Sequence, residues 1–329
     1  MRELDQSLRA MNPVAVGRPA DETRLEDILA LPRDTVAAPR SSSRPALRWW
    51  LAAAATATAA AVAFTVTGPF GTASQPALAL TPVPLAYQPS GRPAAEVLRD
   101  MADRVADLPD DRPAPWKTEH FVWDSWSLST RVDDIQVTSA VIPEHRETWQ
   151  KSDGSAHWKT RTLPPEFQNR HQRELWEDAG ALGRTPQQST GSGDASPSTE
   201  PPTTVQGMRA WLANGQRMGP GLLYEVVPER FQDHVFSPAQ RAALLRVLAD
   251  TKGIVHTGKV KDRAGRTGEA FSLTGRFGGL PDRRTLILDP RTGNLLASEE
   301  QILDDTGKLN VKPYSVIGYI TFVKSDRLA

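Results

Sequence analysis

Residues 254–275 read IVHTGKVKDRAGRTGEAFSLTG, and this stretch carries the pattern that decides the fold. Two runs rich in β-branched and apolar residues, 254–261 and 267–275, flank a turn-like segment at 262–266. Short strands joined by tight turns pair antiparallel, because a parallel connection needs a crossover of a dozen or more residues. Further strands are predicted downstream at 284–289, 295–303 and 314–323. The sequence therefore predicts an α+β fold, in which helices pack against a curved, half-barrel-like antiparallel sheet.

An aromatic-rich segment, residues 116–132, begins the other half of the predicted sheet. It reads WKTEHFVWDSWSLSTRV and favours a strand with large apolar groups on both faces. Asp153-Gly154 predicts a hairpin turn between strands at 145–152 and 155–162. A strand that is covered on one side and lines a cavity on the other has this composition, and plain core packing is the alternative. The candidate ligand-binding residues are the tryptophans of this region: Trp116, Trp123, Trp126, Trp149 and Trp158.

Three helices are predicted around these strands. Residues 93–108 have apolar residues at helical spacing, and residues 204–214 predict a shorter helix. Ser237-Pro238 supplies an N-cap and a first-turn proline for the third helix. Residues 183–204, GRTPQQSTGSGDASPSTEPPTT, are low in complexity and predict a disordered surface insertion.

An apolar run at residues 49–67 predicts a single transmembrane helix. At about 1.5 Å rise per residue, its length is close to the thickness of the hydrocarbon core of a bilayer. Three arginines lie within 40–48, whereas no charged residue or histidine lies within 49–91, so the N-terminus is predicted to be cytoplasmic. Two alternatives stay open: a helix buried in a soluble protein, and a signal segment that is cleaved near Ala79.

The segments on either side of the predicted membrane helix have different compositions. Residues 1–48 predict a cytoplasmic tail with two short amphipathic helices, and residues 68–92 predict a Pro-rich spacer. Residues 93–329 would then form the extracytoplasmic domain. The candidate partner-binding residues are apolar positions of the tail: Leu4, Leu8, Leu25, Ile28 and Leu29.

The bulk composition excludes several classes of site. Lys+Arg and Asp+Glu both number 39, and this balance argues against nucleic-acid binding. The chain has no cysteine, so it has no thiol nucleophile and no Cys-ligated metal. The carboxylate pairs 133–134, 299–300 and 304–305 fall at predicted turns or strand ends, which indicates solvated charge. The sequence therefore predicts no catalytic residue, no metal site and no cofactor, and the protein is expected not to be an enzyme.

Several stretches together resemble a known protein family. RAALLRVLAD, IVHTGKVKDRAGRTGEA and LILDPRTGNLLASEE follow a short tail, an apolar run, a helix and a Trp-rich strand in that order. This order resembles a family of uncharacterised actinobacterial single-pass membrane proteins that are often encoded beside extracytoplasmic-function sigma factors. The predicted outer domain also resembles LolA-like and RseB-like half-barrels, which cup a lipid or a hydrophobic peptide. Because cysteine is absent, the chain departs from anti-sigma factors of the zinc-binding type.

These observations together predict a membrane-anchored, non-enzymatic sensor or regulator. Its outer domain would bind an apolar or envelope-derived ligand, such as a lipid or a hydrophobic peptide, and its tail would contact a cytoplasmic partner such as a sigma factor. The alternative is an anchored lipid- or lipoprotein-binding carrier. A hydrolase of envelope polymers would need converging carboxylates inside the cavity, and the sequence offers no convincing pair.

Overall fold

The computed structural model describes residues 81–110, 117–133, 136–167, 169–178, 187–194 and 199–328. The predicted tail helices, the predicted transmembrane helix and Trp116 lie outside these residues. Within them, no helix has both the length and the apolar composition needed to cross a membrane.

A single sheet contains all the strands of the described residues. It is antiparallel, curved and unclosed, with the strand order β4-β3-β2-β1-β9-β8-β7-β6-β5. The strands are β1 (Thr118–Asp133), β2 (Gln136–Lys151), β3 (Ser155–Thr162), β4 (Gln187–Asp194), β5 (Val255–Lys261), β6 (Thr267–Gly275), β7 (Asp282–Leu288), β8 (Leu295–Ile302) and β9 (Val316–Leu328). Two meanders, β1–β4 and β5–β9, are therefore joined where the first strand pairs with the last. The predicted antiparallel α+β fold is confirmed.

Five helices are present in the described part of the chain. They are α1 (Ala94–Ala106), α2 (Arg170–Asp178), α3 (Val205–Ala213), α4 (Pro220–Asp233) and α5 (Pro238–Ala249). Helices α1, α3 and α5 lie where the sequence predicts them, and Ser237 with Gln240 forms a reciprocal capping box at the start of α5. Helix α4 was not predicted, because Pro228 and adjacent β-branched residues interrupt its pattern. It forms because Leu223, Val227 and Phe231, spaced four residues apart, are all buried.

Four helices cover one face of the C-terminal half of the sheet, which we call the helix face. Here the main core packs α1, α3, α4 and α5 against side chains such as Phe271, Leu286 and Phe322. Burial of large apolar side chains provides most of the stabilisation of such a core. A separate small cluster, formed by Val260, Ala270, Ile287, Leu296 and Ala297, lies on the opposite face of the sheet.

Residues 81–90, which we call the strap, run across this opposite face, the strap face. Leu85 and Tyr87 pack on the small cluster, and the backbones of Gln88 and Lys259 exchange hydrogen bonds of 2.8 and 3.1 Å. The sequence predicts a spacer over 68–92, but this last part of it lies on the sheet. The reason is that Leu85 and Tyr87 alternate in an extended chain and so reach the same face.

Strand β4 occupies part of the segment for which the sequence predicts disorder. Residues 187–194 pair with β3 along their whole length. A Cβ at Gly191 would lie 2.4 Å from the ring of Trp158, so the small residue leaves room for that ring. The low-complexity segment therefore contains a strand, and its glycine makes room for the ring of Trp158.

Candidate ligand-binding cleft

The tryptophans that the sequence groups as one binding site lie on two different faces of the sheet. Trp149 pairs with His157, whereas Trp158 pairs with Thr148, so the two indoles of this hairpin point to opposite sides. By the same alternation along β1, Trp123 lies on the helix face and Trp126 on the strap face. Both β1 residues are buried, with exposed fractions of 4% and 6%. The structure therefore does not bring together in one cavity the four candidate tryptophans that it describes.

On the helix face, Arg146 lies between two tryptophans from neighbouring strands. Its guanidinium carbon is 5.8 Å from the ring centre of Trp123 and 5.6 Å from that of Trp158. Contacts at this distance are cation–π interactions, which strengthen when the cation is partly desolvated. Trp158 and Arg146 remain half-buried, so this row presents a partly open surface on the N-terminal half of the sheet.

On the strap face, Trp149 stacks between two histidines. Its ring centre is 5.1 Å from that of His120 and 4.5 Å from that of His157, with nearly parallel planes in both cases. Trp126 stacks on Tyr319 at 5.8 Å. His145 binds Asp124, and His157 pairs with Trp149 across the hairpin.

A cleft lies between α4 and the helix face of β7, β8 and β9. Its volume is about 120 Å³. Tyr224 and Pro228 of α4 form one wall, and Ser298, Gly318 and Ile320 form the other. The lining that α4 and the sheet form together is largely apolar, which is typical of sites that hold small ligands.

Acidic side chains from two elements converge on this cleft. Glu225 and Glu229 lie one turn apart on α4, and Glu300 comes from the middle of β8; Arg284 of β7 lines the cleft with them. Asp233 follows one turn after Glu229 and is not part of the cleft lining. Residues four positions apart share one side of a helix, so the three α4 carboxylates face the same way. The sequence indicated a solvated Glu299-Glu300 pair, and this was wrong: both belong to β8, and Glu299 is only 5% exposed.

Burial disfavours the ionised form of these carboxylates. It raises the pKa of Glu229 to about 7, with a further contribution from the charge of Glu225. It raises the pKa of Asp233 to about 6, and it also raises the pKa of Glu300. Within the described residues, neither Glu229 nor Asp233 forms an ion pair, and Arg284 approaches Glu225 at 3.8 Å. Glu229 therefore lines the cleft without an ion pair of its own, whereas Arg284 lies near Glu225 and Glu300. Cleft carboxylates whose pKa is raised in this way are typical of functional sites.

The acidic residues of α4 were not predicted as site residues, because the sequence pattern does not predict a helix at α4. The spacing of Glu225, Glu229 and Asp233 is a helical signal, but it points to one face only if the segment is already known to be a helix. Proline inside an apolar run normally argues against that assignment.

A second pocket, of about 300 Å³, lies where the start of α4 meets the end of α5. Arg209 and Lys252 line it together with Met218, Gly219 and Leu223. Across the described ranges, no cluster of three or more histidine, aspartate or glutamate residues is arranged to hold a metal ion.

Comparisons with known proteins add no family to this description. No protein-family model matches the chain, and no curated protein matches it. The acidic cleft and the half-buried Arg146–Trp158 row are therefore the features from which a function can be inferred.

Proposed function

We propose that the protein is a membrane-anchored, non-enzymatic sensor or regulator whose α+β domain binds an amphipathic peptide at the cleft under α4. One observation carries the proposal: a largely apolar cleft is lined by three carboxylates, Glu225, Glu229 and Glu300, with Arg284 as the cation of the lining, and α4 extends from it toward the half-buried row of Arg146 and Trp158. Asp233 and Glu144 both act electrostatically on Arg146, which places the row near the acidic side of the cleft.

The size of the cleft favours a peptide over a buried lipid. A pocket that encloses a whole small ligand usually measures at least about 300 Å³, and this cleft measures about 120 Å³. It has room for one side chain or head group, and the rest of a ligand would lie on the surface at Trp158. A carrier that encloses an acyl chain is less well supported by this volume.

The charge of the cleft favours a cationic group on that ligand. A lysine or arginine side chain would stabilise the ionised form of Glu229, whose charge burial otherwise disfavours. The indole of Trp158 would supply an apolar contact for a neighbouring side chain.

Titration with a short synthetic peptide of alternating leucine and lysine, followed by tryptophan fluorescence, tests the binding. We expect Trp158→Ala and Glu229→Gln each to weaken binding about tenfold. Glu174→Gln, a change at an exposed glutamate of α2, serves as the matched control and should leave binding unchanged. A peptide with glutamate in place of lysine should bind more weakly, and equal binding of the two peptides would contradict the proposal.

The signalling part of the proposal concerns residues 1–48 and 49–67. The resemblance to proteins encoded beside sigma factors supports a cytoplasmic sigma factor as the partner of the tail residues Leu4, Leu8 and Leu25. Co-purification of the full chain from detergent-solubilised membranes, with and without residues 1–40, tests this interaction. Unchanged function after the deletion would instead favour the carrier, and protease accessibility on spheroplasts tests which side of the membrane holds the domain.

The resemblance to LolA-like and RseB-like half-barrels fits the proposed role at the level of fold. A curved, unclosed sheet with helices on one face supports it, although a fold of this kind hosts many functions. The binding assay therefore carries more weight than the likeness of fold.

A further inference from the structure

The strap is attached to the sheet by few contacts. Three of its ten residues are prolines, which have no N–H to donate, and its backbone pairing with β5 consists of the single Gln88–Lys259 bridge. Side-chain hydrogen bonds from Thr81 to Ser315 and between Ser90 and His256 hold its two ends. Its apolar anchors are Leu85 and Tyr87, both only half-buried, while Val83 is 80% exposed. Segments with so few buried contacts open locally at a small cost in free energy.

The surface beneath the strap is separate from the main core. Leu85 and Tyr87 pack on the small cluster of the strap face, whereas helices α1, α3, α4 and α5 pack on the helix face. Detachment of the strap would therefore leave the main core packed. It would uncover Val260 and Ile287. It would also expose the backbone of β5, which is an edge strand of the sheet.

Arg263 connects the strap to the strands that form the cleft. It donates a hydrogen bond of 3.0 Å to the carbonyl of Val83 and one of 2.9 Å to Glu299, and it lies 4.9 Å from the ring centre of Tyr319. Ser298 and Ile320, the neighbours of Glu299 and Tyr319, form the wall of the cleft on the other face. A shift of β8 or β9 would thus act on the cleft and on the strap at the same time.

We propose that the strap is a releasable latch, held by Leu85, Tyr87 and Arg263, which opens while the rest of the domain stays folded. Its link to the cleft rests on the proposed function: a ligand that displaces β8 or β9 would change how firmly the latch is docked. The chain before residue 81 leads to the predicted membrane helix. Release of the latch would therefore transmit ligand binding in the cleft to that helix.

Limited proteolysis of the purified full chain with chymotrypsin tests the latch without any ligand. Cleavage after Tyr87, identified by mass spectrometry, tracks the fraction of molecules in which the strap is open. Gly258→Ala would place a Cβ 2.1 Å from the carbonyl oxygen of Gln88, so we expect cleavage about tenfold faster. Gly265→Ala is the matched control, because Gly265 also has a positive φ but its Cβ would meet nothing within 4 Å.

A disulfide lock provides the second, independent test. The chain contains no cysteine, so Gln88→Cys combined with Lys259→Cys introduces one pair without competing thiols. Residues that exchange both backbone hydrogen bonds lie about 5.5 Å apart at Cα, which a disulfide can span. Oxidation should reduce cleavage after Tyr87 at least about tenfold, and reductant should restore it.

Two results would overturn the latch. The first is cleavage after Tyr87 in the unmodified chain that is no faster than cleavage in the main core, which would mean that the strap opens with global unfolding. Equal cleavage of the oxidised and reduced lock would exclude opening at the Gln88–Lys259 bridge. Because neither assay contains peptide, their failure leaves the proposed ligand binding intact, and failure of the peptide titration leaves the latch intact.

Discussion

Glu229→Gln is expected to stabilise the domain at alkaline pH and to have little effect at acidic pH. In the folded domain burial raises the pKa of Glu229 from 4.5 to about 7, so between these values the folded state holds a proton that the unfolded state releases. The wild-type protein therefore loses stability as the pH rises through this window. Glutamine keeps the shape of the protonated side chain but has no charge to desolvate.

The magnitude follows from the size of the shift. Each pKa unit corresponds to about 1.4 kcal/mol, so the full difference would be about 3 kcal/mol. Glu229 is only half-buried, and solvent screening reduces the expected gain at pH 8 to about 1–2 kcal/mol. For a domain of this size that gain raises Tm by about 3–6 °C.

Thermal unfolding of the purified full chain, followed by circular dichroism from pH 4.5 to pH 8, measures the effect. The difference in Tm between variant and wild type should grow with pH and level off above about pH 7. Glu174→Gln, on the exposed side of α2, controls for the loss of one negative charge. A variant that is no more stable than wild type at pH 8 would refute the reasoning, since the carboxylate would then be compensated in the folded state.

Three further changes test the packing. Gly191→Ala places a Cβ 2.4 Å from the Trp158 ring and should cost about 1–3 kcal/mol in urea unfolding, whereas Gly193→Ala, whose Cβ would lie 3.8 Å from the same ring, should cost little. Leu245→Ala removes a fully buried side chain from α5 and should lower the free energy of unfolding by about 2–5 kcal/mol, as measured by the same urea titration. Ser237→Ala breaks the capping box of α5 and should cost about 1 kcal/mol, and a smaller loss in the Ser237→Thr variant would confirm that the hydroxyl is responsible.

The C-terminal meander and α5 are predictable from sequence because their signals are local. The turn between β5 and β6 contains Asp262, whose carboxylate accepts backbone hydrogen bonds from Ala264 and Arg266. Such turn chemistry is set by residues close in sequence and fixes the register of the strands it joins. The cap at Ser237 is equally local, so its helix began where the sequence predicted.

The candidate site is not predictable in the same way because it depends on contacts between distant segments. The faces of Trp149 and Trp158 follow from a register that a shift of one residue would invert. Helix α4 forms through tertiary burial in spite of Pro228. Strand β4 pairs with β3 beside Trp158, where Gly191 leaves room for the ring. Secondary-structure propensity alone predicts neither element. It therefore misses both the carboxylates of α4 that line the cleft and the strand beside Trp158.

Successive side chains of β8 point alternately to the cleft and to the strap, so this strand connects the two faces of the sheet. Ser298 and Glu300 face the cleft, and Glu299 between them faces the strap, where it holds Arg263. The Arg263–Glu299 pair is well buried, and loss of one partner from such a pair typically costs about 3–5 kcal/mol because the other charge is left uncompensated. A displacement of β8 that moves this pair would also act on the hydrogen bond that Arg263 donates to the carbonyl of Val83 in the strap. In the proposed latch, communication between cleft and strap therefore runs through β8, whose Leu295 also belongs to the main core.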